Sequence, residues 1–506
     1  MYTLGFIAVL AGLLGLMLNR EGLKGLSYAT APGLAVWLVG TFVQTATWTA
    51  FFGQTFTDLL FFGGAALLFR GLSQSKNLAV PAAVVALVVM AGVHQALRPA
   101  AAEPEVATAM PELASDGELL VELNQETDAE RWKRWIGAQG WTTRRAFYPA
   151  DGQRTDLDDY YLVDVPADQV AELVALMAML EATGMTDNVE PNEVIRLEFD
   201  PARTVPKSNK QLGVDDPRVN EQWAMTALEM DRFYTLLTSE QVKPQKRALV
   251  AILDTGVDAK HEDLAANFFS VNKKFDDDPQ GHGTHCAGIA GAVTNNGVGV
   301  ASFARSGDFF RVTSVKVLRA GGSGTQQDII NGIITAVDRG ADVLSLSLGG
   351  FSTQSRQQAY SEAVRYATDK GAIVVAAAGN SNRDAATYTP VNATGMIGVS
   401  AVDDQLQRAV FSNKVNRIEM ALAAPGVGIF STKPNNNYEA HNGTSMATPF
   451  VSGLLGVMKS IRPSLTNKEA FKILQETGIN TRETSNTGKL IQPARAVGAL
   501  IGAAAN

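Results

Sequence analysis

Cysteine is almost absent from this chain of 506 residues, since Cys286 is the only one. This count excludes a disulfide framework within the chain and a cluster of thiolate metal ligands. Lys and Arg number 43 against 51 Asp and Glu, and they form no basic stripe, so the sequence excludes binding that depends on neutralising nucleic-acid phosphates. The length predicts two or three cores rather than one.

Charge is scarce in residues 1–98, which contain long apolar runs at 3–18, 29–50, 55–72 and 78–97. Each run approaches the roughly 20 residues that cross a bilayer as a helix. The first is short enough for a signal peptide, but it lacks a basic start and a small-residue cleavage site. We expect about four spans, of which the third is open to a re-entrant or interfacial arrangement.

Basic residues between the runs predict how these spans are oriented. Arg20 and Lys24 lie in one connection and Arg70 and Lys76 in another, whereas the connection near 51–58 has no basic residue. Basic loops stay in the cytoplasm, so the remainder of the chain is expected on the extracytoplasmic side of the membrane.

The soluble remainder divides by composition and periodicity. Residues 99–116 are rich in Pro, Ala and Glu and predict a linker, 117–199 predict a small α+β domain, and 200–215 are polar and predict a linker or processing region. Within the α+β domain the predicted order is strand 118–123, helix 127–139, strand 160–165, helix 167–180 and strand 188–197.

Residues 216–506 alternate apolar strands with amphipathic helices. This pattern predicts an α/β domain in which helices cover both faces of a parallel sheet. In such sheets functional sites form beyond the carboxyl ends of the strands. Asp254, Ser347 and Asn380 are predicted to lie at such ends.

Three glycine-rich phrases supply the groups of a nucleophilic serine site. Asp254 lies in DTGVD, His282 in GHGTHCAGIAG and Ser445 in NGTSMATP. A serine hydroxyl becomes a useful nucleophile when a histidine accepts its proton and a carboxylate orients that histidine. The chain order Asp, His, Ser differs from the orders of α/β-hydrolases and of chymotrypsin-like enzymes, and it favours the subtilisin arrangement.

On these three phrases, roughly residues 210–500 resemble the subtilase family. The resemblance implies a subtilisin-like parallel sheet and a serine endopeptidase that forms an acyl-enzyme, with Asn380 of AAAGN as an oxyanion donor beside the Ser445 N–H. Two alternatives remain: His282 and His285 as a metal-binding pair, and an inactive domain that only binds peptides.

The resemblance also implies where substrate binds. Two segments should pair with an extended polypeptide as added strands: Gly322, Ser323, Gly324 and Ser347, Leu348, Gly349. Tyr388 stands where relatives with a roomy S1 pocket have glycine, so we expect a preference for smaller or flexible apolar P1 residues.

A structural Ca²⁺ is implied in the same way. Asp216, Asp263 and Asn296, together with the carbonyls of Val298 and Val300, match a calcium site of the family. Hard oxygen ligands in a loop suit this cation.

The phrase TGMTDNVEPNEVIRLE, at the end of 117–199, resembles the inhibitor-like propeptide of subtilases. The chain's own prodomain is therefore expected in the cleft, and cleavage within 200–215 would release the protease from its anchor. An unrelated ferredoxin-like module is the alternative for 117–199.

Two smaller features complete the expectations. Cys286 is predicted to be a small buried hydrophobe that points away from the two histidines, with a thiol open to mercurials as the alternative. The run Asp276–Asp278 predicts a solvated loop face. Together the sequence predicts a membrane-anchored, subtilisin-like serine endopeptidase made as a zymogen, or else a catalytically silent membrane peptide-binding or sensor protein.

Overall fold

The computed structural model describes residues 112–197, 200–202, 205–207, 211–305, 308–352 and 358–502. Contact density divides the chain into one unit that ends at Met110 and a second that begins at Pro111. The four predicted spans and most of the predicted linker lie outside the described residues. Across the described ranges no helix has both the length and the apolar character that a membrane crossing requires.

Residues 112–197 form what we call the N-terminal sheet domain. Its elements are β1 (Leu119–Leu123), α1 (Ala129–Ala138), β2 (Thr142–Arg145), β3 (Tyr160–Asp164), α2 (Leu173–Glu181), β4 (Thr186–Pro191) and β5 (Val194–Arg196). Four of the strands form an antiparallel sheet in the order β2-β3-β1-β4. The predicted order of strands and helices is confirmed as far as the last strand, and β2 is an additional edge strand whose sequence, TTRR, carries no apolar pattern. The predicted strand 188–197 is instead two strands, of which β4 belongs to the sheet and β5 pairs outside it.

Alternation along β1 explains how this sheet is covered on both faces. Leu119 and Val121 pack with Trp132 of α1 in one core. Leu120 points the other way, as strand geometry requires, and joins a core that continues into the helices of the following domain. The N-terminal sheet domain thus buries its second face against the rest of the chain.

The remaining described residues contain the predicted catalytic domain, which we call the catalytic domain. Its strands are β6 (Asp200–Pro201), β7 (Ala248–Asp254), β8 (Val293–Thr294), β9 (Ala304–Arg305), β10 (Phe310–Lys316), β11 (Ser323–Thr325), β12 (Val343–Leu346), β13 (Gly350–Phe351), β14 (Ile373–Ala377), β15 (Tyr388–Thr389), β16 (Ile397–Val402), β17 (Met420–Pro425), β18 (Ile429–Lys433), β19 (Asn437–Asn442) and β20 (Lys489–Leu490). Its helices are α3 (Trp223–Ala227), α4 (Met230–Ser239), α5 (His282–Gly291), α6 (Gln326–Asp338), α7 (Gln358–Asp369), α8 (Thr444–Ile461), α9 (Asn467–Thr477), α10 (Thr484–Thr487) and α11 (Pro493–Ile501).

Seven parallel strands build the central sheet in the order β10-β7-β12-β14-β16-β17-β20. Along β7, Val250 and Ile252 pack toward α5 and α8, whereas Ala251 and Leu253 pack toward α6 and α7. The sheet is apolar on both faces because helices cover both. The predicted α/β class with a parallel sheet is confirmed.

The carboxyl ends of these strands place the predicted site at one edge. β7 ends at Asp254, Ser347 follows β12 directly, and Asn380 lies three residues beyond β14. α5 and α8 begin at this same edge, with His282 and Ser445 in their first turns.

Candidate active site

Asp254 and His282 form the best-defined contact of the site. Both are almost fully buried, and His282 Nδ1 lies 2.8 and 2.9 Å from the two carboxylate oxygens of Asp254. This geometry makes Nδ1–H the donor and directs Nε2 to the reacting side. The approach of α5 to β7 requires glycine, since a Cβ at Gly283 would lie 2.0 Å from the Gly256 carbonyl oxygen.

Two effects oppose each other at the imidazole of His282. Burial, the largest single effect, lowers the pKa of His282, but the charge and hydrogen bond of Asp254, together with the neighbouring Cys286, raise this pKa well above its usual value. The imidazolium that forms when this group accepts a proton is therefore stabilised by the site.

Ser445 is the second residue of α8, where free N–H groups and the helix dipole favour negative charge. Its Oγ donates to the Ser347 carbonyl at 2.9 Å, and Ser347 Oγ donates to the Ser445 carbonyl at 2.9 Å. This reciprocal pair fixes the start of α8 against the end of β12.

Cys286 does not point away from the histidine, as the sequence had suggested. Its Sγ lies 3.9 Å from His282 Nδ1 and donates toward the Ser445 carbonyl at 3.5 Å, because one turn of α5 returns it to the face of His282. Burial raises the pKa of the Cys286 thiol. The thiol therefore fills space between Asp254, His282 and Ser445 as a neutral group.

His285 takes no part in a metal pair with His282. Its Nε2 donates to the Glu439 carbonyl at 3.0 Å, and its ring stands edge-on to His441 at 4.6 Å. Burial, followed by the neighbouring His441, holds the pKa of His285 well below its usual value. Among the described residues, the one group of at least three His, Cys, Asp or Glu side chains whose ligand atoms lie close enough to share a metal ion is Asp254, His282 and Cys286.

Asn380 is held in the orientation that an oxyanion donor needs. Its Oδ1 accepts bonds from the Thr444 N–H and hydroxyl, both at 2.8 Å, which fixes which end of the amide is Nδ2. A Cβ built on Gly443 would lie 3.5 Å from Asn380 Nδ2 and 3.6 Å from the Ser445 nitrogen. Both nitrogens thus border the same small space beside the serine.

The first predicted substrate segment already carries a strand. β5 pairs antiparallel with β11, in the register Arg196 to Ser323 and Ile195 to Gly324, and Leu197 N–H donates to the Gly322 carbonyl at 2.9 Å. Ile195 is 1% exposed, and a Cβ on Gly350 would lie 3.1 Å from its Cδ1.

A second short strand continues on the other side of the site. β6 pairs antiparallel with β19, in the register Asp200 to Asn442 and Pro201 to His441, and Ala202 N–H donates to the Ala440 carbonyl at 2.9 Å. Part of the predicted linker is therefore an added strand.

The second predicted segment, Ser347 to Gly349, lies between β12 and β13, and Leu348 is buried. Tyr388 lies beside it on β15, which pairs with β13, and its ring meets Phe351 edge-on at 6.2 Å. A Cβ on Gly379 would come within 2.9 Å of the Tyr388 ring, so the tyrosine occupies the space next to Asn380.

The predicted calcium ligands converge in one loop. Asp216 Oδ1 and Oδ2 accept from Asn295 N–H at 2.9 Å, Asp263 accepts from Asn296 Nδ2 at 3.0 Å and from Val300 N–H at 2.8 Å. Burial raises the pKa of Asp263 to about 7, and the nearby Asp216 adds to the effect. The two buried carboxylates suit a hard divalent cation. Asn296, however, presents Nδ2 rather than its oxygen to Asp263, and its Oδ1 accepts from the Val298 N–H.

Sequence reasoning missed Asp278. The run of three aspartates suggested solvation, which holds for the exposed Asp277, but Asp278 is 4% exposed and accepts bonds from Thr255, Gly281 and Thr284. Its position four residues before His282 was the available signal, since acids near a helix start often cap it.

The N-terminal sheet domain also buries acids against the catalytic helices. Glu122 accepts from Tyr160 OH and from Gln358 Nε2 of α7, each at 2.9 Å, and Glu190 accepts from Gln326 Nε2 of α6 at 2.9 Å. Burial raises the pKa of Glu122 to about 7 and that of Glu190 to about 8.

The fold and site together define a hydrolase of the serine nucleophile class. Comparison with known proteins shows which family of serine hydrolases the chain resembles. The profile described as "Peptidase_S8: Subtilase family" matches residues 245–498.

Curated relatives agree. Thermitase of Thermoactinomyces vulgaris is 43% identical over 228 residues, covering 44% of this chain and 78% of thermitase. The thermophilic serine proteinase of Bacillus sp. (strain AK1) is 33% identical over 349 residues, covering 68% of this chain and 78% of that protein. Subtilisin DY of Bacillus licheniformis is 38% identical over 247 residues, covering 47% of this chain and 86% of that protein. The chain belongs to the subtilase family, and it is a serine endopeptidase of the subtilase type.

Proposed function

We propose that this subtilase is made as a membrane-anchored zymogen, with Asp254, His282 and Ser445 as its catalytic triad and the N-terminal sheet domain as its inhibitor. The observation that carries the proposal is that two segments of the chain, 194–197 and 200–202, pair with strands of the catalytic domain. Residues 194–197 pair with β11 on one side of Ser445, and residues 200–202 pair with β19 on the other. An extended substrate would need both sets of backbone partners.

The chemistry follows from the placed groups. His282 accepts the proton of Ser445 Oγ as the oxygen attacks the peptide carbonyl carbon, and Asp254 stabilises the resulting imidazolium. Asn380 Nδ2 and the Ser445 N–H donate to the oxygen of the tetrahedral intermediate. The imidazolium then protonates the leaving amine, and a water that His282 deprotonates releases the acyl group from Ser445.

Self-inhibition accounts for the positions of Ile195, which is buried against the catalytic domain, and of Leu197, which is half-buried. The described pairing with the catalytic domain ends at Leu197 and resumes at Asp200. We infer that the first cut falls there, at the upstream margin of the expected 200–215 region. Because 68% of the chain aligns with the strain AK1 proteinase, the similarity reaches back into the N-terminal sheet domain and supports a propeptide.

Membrane anchoring rests on the sequence of residues 1–98. Four apolar runs and basic residues confined to alternate connections support a multi-pass anchor with the catalytic domain on the extracytoplasmic side. Sedimentation of the uncut chain with membranes, and its recovery in the soluble fraction after cleavage, would support this arrangement. Soluble uncut chain would overturn it.

A structural Ca²⁺ is the cofactor that we propose. Asp216, Asp263 and Asn296 would hold it, with the Val298 and Val300 carbonyls completing the set. When bound, the cation would neutralise two buried carboxylates and fix the loop, without a part in peptide-bond cleavage.

A fluorophosphonate probe tests the enzyme against the alternative of a silent peptide-binding or sensor protein. We expect the wild type to hydrolyse a chromogenic peptide and to be labelled at Ser445, and Ser445→Ala to show neither. Ser452→Ala, on the same helix but bonded to Ser345 Oγ at 2.9 Å in the core, should remain labelled. Loss of labelling in both variants, or in neither, would contradict the assignment of Ser445.

A further inference from the structure

Asp278 is buried between the end of β7, which carries Asp254, and the start of α5, which carries His282. Its Oδ1 accepts from Thr255 Oγ1 and from the Gly281 N–H, each at 2.8 Å. Its Oδ2 accepts from the Thr284 N–H at 2.8 Å and from Thr284 Oγ1 at 2.7 Å. These donors fill the roughly four lone-pair directions of a carboxylate.

The donors come from both sides of the triad contact. Thr255 follows Asp254, and its N–H donates to Asp254 Oδ1 at 2.7 Å. Gly281 and Thr284 bracket His282 at the start of α5. Asp278 thus ties the carboxyl end of β7 to the first turn of the helix that carries His282.

Thr255 Oγ1 is the atom through which this connection passes, because it contacts Asp278, Asp254 and the first turn of α5. It lies 2.8 Å from Asp278 Oδ1 and 3.2 Å from Asp254 Oδ1, and it accepts from the Gly283 N–H at 3.1 Å. A hydroxyl has one proton, and the shorter contact favours donation to Asp278. Asp278 therefore orients the Thr255 hydroxyl, which contacts both Asp254 and the Gly283 N–H in the first turn of α5.

We propose that Asp278 is a positioning residue of the reaction, which acts through Thr255 and the first turn of α5 to fix the His282–Asp254 geometry. This role rests on the proposed triad. It differs from general support of the fold, because every bond of Asp278 goes to residues within two positions of Asp254 or His282.

The chain offers a matched control at the opposite end of β7. Asp342 is also buried, at 9% exposure, and its carboxylate accepts from the Leu249 N–H at 2.9 Å and from Lys246 Nζ at 2.8 Å. Loss of either carboxylate should lower the stability of the same strand. A merely structural role predicts the same outcome for both variants.

The experiment compares Asp278→Asn, Thr255→Val, their double variant and Asp342→Asn by kcat, KM and pH profile on a chromogenic peptide. We expect kcat to fall about 10- to 100-fold in Asp278→Asn with little change in KM, the size typical of a small misplacement of catalytic groups. The acidic limb of kcat/KM should move to lower pH, since His282 loses part of the support of Asp254. Thr255→Val should show the same loss of kcat and the same shift of the acidic limb as Asp278→Asn. Thr255→Ser, which keeps the hydroxyl, should have nearly the activity of the wild type.

The energetic coupling between Asp278 and Thr255, measured with the double variant, tests whether Asp278 acts through Thr255. If Asp278 acts through Thr255, the double variant loses no more than the worse single variant. Additive losses of kcat in the double variant would overturn the proposal. It would also be overturned if kcat in Asp278→Asn fell only in proportion to Tm, as in Asp342→Asn, while the acidic limb of kcat/KM stayed at the wild-type pH. If Asp278→Asn does not fold, Thr255→Val, which changes no charge, carries the test. Turnover by Ser445→Ala would instead refute the triad itself.

Discussion

The catalytic edge of the sheet and the contact made by the N-terminal sheet domain both bury carboxyl groups, but they surround them differently. At the catalytic edge Asp254 faces an imidazole and Asp278 receives four donors from the flanking backbone and hydroxyls. At the interface Glu122 and Glu190 meet neutral side chains, and burial raises their pKa.

Under the proposed function, this difference separates the permanent catalytic residues from a domain that is removed. A carboxylate anchored by many short donors keeps one geometry, which a catalytic site needs. A buried carboxyl whose pKa lies near neutrality changes its charge within the physiological range, and this suits a contact that must end. The predictions below test each side of this contrast.

The largest effect is expected at the oxyanion donor. Asn380→Ala should lower kcat about 100- to 1000-fold with little change in KM, because the amide donates to charge that develops only in the transition state. Steady-state kinetics on a peptide amide measure this. Asn467→Ala is the control, since Asn467 anchors the other end of β14 through Val374 N–H and the Gly395 carbonyl, and should lose stability without losing kcat. Equal kcat losses in the two variants would contradict the assignment.

The interface should release the N-terminal sheet domain faster as pH rises. The bound-state pKa values of Glu122 and Glu190, about 7 and about 8, lie above the ordinary value of 4.5. The complex is therefore favoured below about pH 5, and this stabilisation is lost as pH rises through 7 to 8.

After the chain is cut, the lag before full activity should shorten about 10-fold or more between pH 5 and pH 8. Glu190→Gln, which mimics the protonated acid, should lengthen the lag at pH 8, whereas the exposed Glu172→Gln should not. A lag that is shortest at pH 5 would contradict the sign.

Tyr388, which lies next to Gly379 and Asn380, should limit the size of the P1 side chain. Tyr388→Gly should raise kcat/KM for aromatic over small P1 residues by about 10-fold, because space beside Gly379 opens. A peptide library varied at P1 gives the ratio. A wild type that already cleaves fastest after large aromatic residues would refute the preference.

The smallest effect concerns Ca²⁺ at the loop of Asp216 and Asp263. Removal by a chelator should lower Tm by about 5 °C or more, as expected when a ligand that binds only the folded state is lost. Asp263→Asn should weaken this response. Asp384→Asn, whose half-buried carboxylate pairs with Arg417 and accepts from the Ala386 N–H, should retain it. A Tm insensitive to the chelator would exclude a calcium site there.

The sequence predicted the fold and the site best at positions where the residue type allows few structural roles. Apolar strands followed by Asp254 and Asn380 predicted the parallel sheet and the edge where these residues lie. Gly-rich phrases marked close approaches, as Gly283 against Gly256 shows.

The rest depended on tertiary context. Asp278 lies in an acidic run, and only the approach of α5 to β7 buries it. The short strand β6 (Asp200–Pro201) carries no apolar strand pattern, and it forms because the edge of β19 away from β18 accepts it. The direction of Cys286 was predicted wrongly although the sequence held the signal, since it lies four residues after His282 and one helical turn returns it to the same face.

The most direct test of the account is the N-terminal sequence of the mature enzyme. The full-length wild type should be cut by its own site between Leu197 and Asp200, and the Ser445→Ala chain should remain intact. A wild-type chain that is fully active while uncut, or a Ser445→Ala chain cut at the same bond in a purified preparation, would contradict the account.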